Sequence, residues 1–136
     1  MGWVQVACAV VSSLPTGEYG VRERALVERA YASARSELSR RPRNKVGTHD
    51  YLSGGIDALA WFLGHTQTAP VSGRLLPVSI LNIRNEGDLA ESFIRRYLRN
   101  DRELTQNYLV GAQQALMWLN RECEDPPGYY EDDANT

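Results

Sequence analysis

The chain has 136 residues, of which 43% are hydrophobic and 24% charged, and carries a formal net charge of −2. That length and balance describe one soluble globular domain that buries a core without staples. The small negative charge excludes a chain built on general attraction to polyanions, although local patches can still act. Fourteen of the fifteen basic residues are arginine, Lys45 being the exception, a skew that fits a GC-rich coding genome such as that of an actinobacterium or its phage.

Residues 3–11 form an apolar run rich in Val and Ala. It has no basic flank, enters a turn at Leu14-Pro15-Thr16-Gly17, and is too short to span a bilayer. The β-branched residues favour a short buried strand, while the alanines also permit a helix. A cytoplasmic location follows by default. Cys8 and Cys123, near opposite ends, make no C-x-x-C pair and cannot hold zinc alone. Two reduced thiols are expected.

The first helix is predicted over 18–41, with Val27, Ala30, Tyr31, Ala34 and Leu38 on one stripe and Pro42 as its stop. Thr48 or Asp50 is positioned to cap the next helix, which runs to a terminal glycine at Gly64. That helix contains the phrase Tyr51-Leu52-Ser53-Gly54-Gly55-Ile56-Asp57-Ala58-Leu59-Ala60-Trp61. It returns 57 positions later as Tyr108-Leu109-Val110-Gly111-Ala112-Gln113-Gln114-Ala115-Leu116-Met117-Trp118, sharing Y-L-x-G-x-x-x-A-L-x-W. Each copy follows another helical stretch, so the expected unit is a helical hairpin used twice.

Between the copies, Pro70, Gly73 and Pro77 interrupt an apolar connector over 66–86. Residues 75–83 are apolar enough for a short strand, pairing with 3–11, and the connector is expected to lie across the helices. The third helix is predicted to open at Asp88, where Asp88-Leu89-Ala90-Glu91 resembles a capping box, with a tight join at Asn100-Asp101 and a fourth helix ending near Arg121. The acidic end of the chain predicts a solvated, disordered tail over 128–136, with Tyr129-Tyr130 as its one possible anchor.

The fold expected is therefore mainly α. Two tandem hairpins, 18–64 and 88–121, form a four-helix assembly in a single domain over 1–127, with a short N-terminal strand against 75–83. Small residues at 54, 55, 58, 111, 112 and 115, flanked by aromatics, suit close helix contact across an approximate internal two-fold. In this reading Tyr51, Trp61, Tyr108 and Trp118 either pack the core or line a groove for a ligand or partner helix.

Recognisable chemistry is sparse. His65 follows Trp61 by four residues and Asp57 by eight, which puts all three on one side of a helix. A His–carboxylate pair can do acid–base work, but no third group, H-E-x-x-H or nucleophile elbow accompanies it. No metal site, cofactor site or catalytic residue is expected. Arg95, Arg96 and Arg99, with Arg102 beyond, and a basic patch at Arg40, Arg41, Arg43 and Lys45, follow the first helix of each hairpin. Such patches grip phosphates or serve as solvated faces.

The leading functional expectation is a small non-enzymatic helical module that binds a protein partner and self-associates, with a dimer as the first guess. An inhibitor of a host system encoded by a phage is one form of it. The alternative is a binding protein for a nucleotide or other phosphorylated ligand, and the third is a DNA-binding accessory protein. No membrane association is expected.

Overall fold

The computed structural model describes residues 21–42 and 44–123. Four α-helices account for the regular structure there: α1 (Arg24–Arg40), α2 (Val46–Leu63), α3 (Ile80–Ile94) and α4 (Gln106–Leu119). The molecule is mainly α, as its periodicity predicts. No strand occurs among the described residues, whose only ladder contact is an isolated antiparallel bridge between Thr68 and Leu75. The 3–11 segment, Cys8 and the 128–136 tail lie outside the described residues.

α1 turns Val27, Ala30 and Ala34 inward at helical spacing. It stops at Arg41, whose extended backbone (φ −80°, ψ 142°) is the conformation required before Pro42. α2 begins at Val46, two residues before Thr48 and four before Asp50, the alternative caps expected. The Lys45 amide closes a turn on the Pro42 carbonyl at 3.0 Å, and this feeds the chain directly into the helix without a side-chain cap. Gly64 ends α2 at φ 84°, the left-handed conformation glycine adopts without penalty.

The largest departure from expectation is α3. It starts eight residues before Asp88, at Ile80, because Ser79 is extended and its Oγ accepts the Asn82 amide at 3.0 Å. The Asn82 side-chain amide also donates to the Pro77 carbonyl at 2.8 Å. Residues 80–83 are therefore helical, and the expected 75–83 strand does not form. Ile83, Glu86 and Ala90 make the buried face. A carboxylate in that stripe is what hid the helix from its hydrophobic pattern.

The tight join at Asn100-Asp101 is replaced by a longer loop from Arg95 to Thr105. Asn100 organises it by accepting the Leu104 amide at 3.1 Å and donating to the Leu104 carbonyl at 2.7 Å. Thr105 then caps α4 by accepting the Tyr108 amide at 3.2 Å.

α2 and α4 form the most extensive contact, with α1 packed on α2 and α3 on α4. Leu52, Leu59, Trp61, Leu109, Leu116 and Leu119 are fully buried at the centre. Each such side chain contributes roughly 1.5–3 kcal/mol of burial. The connector divides in two. Ala69 and Val71 are buried, held by the Glu86 carboxylate, which accepts the Val71 and Ser72 amides at 2.8 and 2.9 Å. Beyond the turn the expectation fails, because Leu75 is 74% and Leu81 64% exposed.

Candidate functional site

The α2–α4 crossing places the aromatic phrases against each other through glycine. A Cβ on Gly54 would lie 2.1 Å from the Tyr108 carbonyl oxygen, and one on Gly111 would lie 2.0 Å from that of Tyr51. Only a hydrogen at these positions allows the backbones to touch. The side chains beyond the crossing exchange hydrogen bonds reciprocally. Tyr51 donates its hydroxyl to Gln114 Oε1 at 2.8 Å, and Tyr108 donates its own to Asp57 Oδ2 at 2.7 Å. Asp57 and Gln114 are separated by the same 57 positions as the two tyrosines.

The helix ends match in the same register. At the end of α2 the Gly64 amide donates to Trp61 and the His65 amide to Ala60, at 3.1 and 2.9 Å. At the end of α4 the Arg121 amide donates to Trp118 and the Glu122 amide to Met117, at 3.0 and 2.7 Å. Arg121 takes the left-handed conformation (φ 61°) that glycine supplies at Gly64.

Trp61 and Trp118 are core residues. Trp61 is buried and donates its indole N–H to the Leu76 carbonyl at 2.9 Å, which ties the connector down. Trp118 is buried beneath the Arg22 guanidinium, 5.1 Å from the ring centroid. Arg22 also donates to the Trp118 and Cys123 carbonyls at 2.7 and 2.6 Å, joining the start of the described chain to its end. Cys123 itself is buried.

Tyr108 instead helps line an open cleft of about 350 Å³, together with Asp57, His65, Arg102 and Tyr31. Asp57 and His65, which the sequence placed on one side of a helix, do share this cleft; Trp61 does not. The His65 and Tyr31 rings lie 5.0 Å apart at 41°. Arg102 enters from the α3–α4 loop and donates through one amino group to the Pro70 and Val71 carbonyls at 3.2 and 2.9 Å. Burial and the adjacent Asp57 carboxylate raise the pKa of the Tyr108 phenol well above its ordinary value, so it remains a donor. Sequence reasoning did not connect Tyr108 or Arg102 to Asp57. The 57-residue offset carried part of that information, since the crossing that joins Tyr51 to Gln114 also joins Tyr108 to Asp57.

The arginines are distributed along the surface and are substantially offset by acids. Arg95 pairs with Glu91 on the same helix face, and Glu91 also accepts from Gln113. The Arg95 guanidinium, followed by the Gln113 amide, holds the Glu91 carboxyl below its ordinary range against the opposing effect of burial. Arg99 pairs with the exposed Asp101 at 3.1 Å. Arg96 and Arg99 line a shallow groove of about 600 Å³ that also contains Tyr97 and Leu98. In the other patch, Arg40 and Arg41 both engage Glu37, while Lys45 is exposed at the entry to α2. Arg43 lies outside the described residues. His49 places its Nε2 3.1 Å from the Arg41 carbonyl.

Among the described residues there is no group of side chains arranged to hold a metal ion, and no helix long and apolar enough to cross a membrane. Comparison with protein-family models, curated proteins and solved structures returned no match.

Proposed function

We propose that this chain is a duplicated helical hairpin that works as a protein-interaction module, self-associating through the strip formed by Leu75, Val78, Ile80 and Leu81. The observation that carries the reading is the exposure of these four side chains within one short stretch, where Leu75 and Leu81 project mostly into solvent. Several exposed apolar side chains close together in sequence mark an interaction site more often than an isolated exposed leucine does. No charged residue lies between Arg74 and Arg84, so the strip can meet a second copy of itself without like-charge repulsion. Self-complementarity of that kind suits a two-fold dimer.

The reciprocal glycine crossing, the exchanged tyrosine hydrogen bonds and the matching helix ends support the duplication. In such a protein the two hairpins use their small-residue faces on each other. The connector and the first turn of α3 are left to carry the apolar surface outward. The phosphate-binding and DNA-binding readings rank lower, because Arg95, Arg99, Arg40 and Arg41 already have carboxylate neighbours.

Native mass spectrometry and concentration-dependent size exclusion test this. The wild-type chain is expected to be dimeric, and the double variant L75E/L81E monomeric with its helical content intact. A wild-type chain that stays monomeric at high concentration, or a dimer that survives the double substitution, overturns the assignment.

A further inference from the structure

The cleft beside the α2–α4 crossing holds two opposite charges that are fixed in place but not spent on each other. Asp57 is anchored by the Tyr108 hydroxyl at 2.7 Å. Arg102 is anchored by the Pro70 and Val71 carbonyls, and its guanidinium lies flat against Gly73, where a Cβ would approach its Cζ to 2.9 Å. Both line the same cleft, yet among the described residues they form no ion pair with each other. Each charge is held by neutral partners, and both residues are exposed to solvent.

The pseudo-symmetric half of the molecule supplies a control for the carboxylate. At the equivalent of Asp57 stands Gln114, and its neutral amide oxygen accepts the Tyr51 hydroxyl at 2.8 Å, as Asp57 accepts that of Tyr108. Anchoring a tyrosine across the crossing therefore needs an acceptor but no charge. The negative charge at 57 is surplus to the fold, and it lines a cleft that also presents Arg102.

We propose that this cleft binds a small zwitterion of the free amino-acid class, with its ammonium group on Asp57 and its carboxylate on Arg102. The volume of about 350 Å³ falls in the range of small-molecule sites. His65 and Tyr31 contribute aromatic surface to its lining. A ligand with a phosphate and no cationic group would meet the Asp57 carboxylate unfavourably, which separates this site from the arginine groove on the α3–α4 loop. The inference does not depend on self-association.

The test is NMR titration of the 15N-labelled full chain with L-phenylalanine, L-glutamine and L-serine, each repeated as its N-acetyl derivative and its methyl ester. Saturable shifts at Asp57, His65, Arg102 and Tyr108 are expected with at least one free amino acid, weakened by about tenfold or more when either charge is masked. D57N retains an acceptor for Tyr108, as Gln114 demonstrates for Tyr51, so it is expected to fold normally and lose the response. R102K keeps the cation and should retain part of it, whereas R102Q should not. No saturable response to any of the three amino acids at millimolar concentration overturns the proposal. So does an equal response to the masked derivatives, or saturation by inorganic phosphate alone.

Discussion

Gly54 and Gly111 are interchangeable parts of one contact: each lies against the carbonyl of the tyrosine three residues before the other, at distances of 2.1 and 2.0 Å to the position a Cβ would take. The obstructing atoms are backbone, so neither helix relieves the clash by turning a side chain aside. G54A and G111A are each expected to cost about 3 kcal/mol by forcing α2 and α4 apart. G87A is the contrast. Its Cβ would meet Leu116 Cβ at 3.8 Å, an ordinary contact, and the gain in helix propensity should stabilise the chain by about 0.5–1 kcal/mol. Urea unfolding of the three variants checks both signs.

Glu86 is the charged residue in the inward face of α3, and its purpose is legible from its partners. One carboxylate oxygen accepts two backbone amides of the connector, those of Val71 and Ser72. E86A leaves both donors without that acceptor in a buried turn, an expected loss of about 3 kcal/mol. E86Q retains an oxygen and should cost clearly less. Hydrogen exchange at the Val71 and Ser72 amides would show local release in E86A and near-normal protection in E86Q.

Tyr108 links stability to alkaline pH. Its phenol pKa is raised first by burial and then by its bond to the Asp57 carboxylate, so the folded chain holds that proton more tightly than the unfolded chain does. The associated stability is present in full below the ordinary phenol pKa of about 10 and declines as pH rises beyond it. Tyrosinate absorbance should reveal a phenol that resists ionisation until the protein unfolds. Y108F should abolish that step and flatten the alkaline decline in the unfolding midpoint.

Glu91 supplies the opposite sign at acid pH. Its pKa is depressed chiefly by Arg95, with Gln113 assisting, so the favourable contribution exists above the ordinary glutamate value of about 4.3 and is lost as pH falls through the folded one. Both side chains of the pair are substantially exposed, at 59% for Arg95 and 38% for Glu91, so the effect on stability should be small and reduced by salt. Carboxyl NMR titration should place Glu91 below the ordinary range in the wild-type chain, and R95Q should return it upward.

Local stereochemistry was legible in the chain itself. Pro42 forces an extended residue before it and ends α1; Gly64 accepts the left-handed backbone that ends α2; the apolar stripe of α1 recurs at helical spacing. The shared Tyr, Gly and Trp positions also announced two helices able to approach closely. These signals act within a few residues, so sequence alone carries them.

Tertiary structure decided the rest. Residues 75–83 read as a short strand, and the helix that instead begins at Ile80 depends on a buried face that includes a carboxylate. Glu86 is acceptable there only because Val71 and Ser72, far back along the chain, present two amides to it. The cleft has the same character. Asp57, His65, Arg102 and Tyr108 come from separate elements, and the glycine crossing brings two of them within hydrogen-bonding distance. Dihedral preference belongs to a residue and its neighbours, whereas the cost of burying a charge depends on partners that only the folded chain brings near.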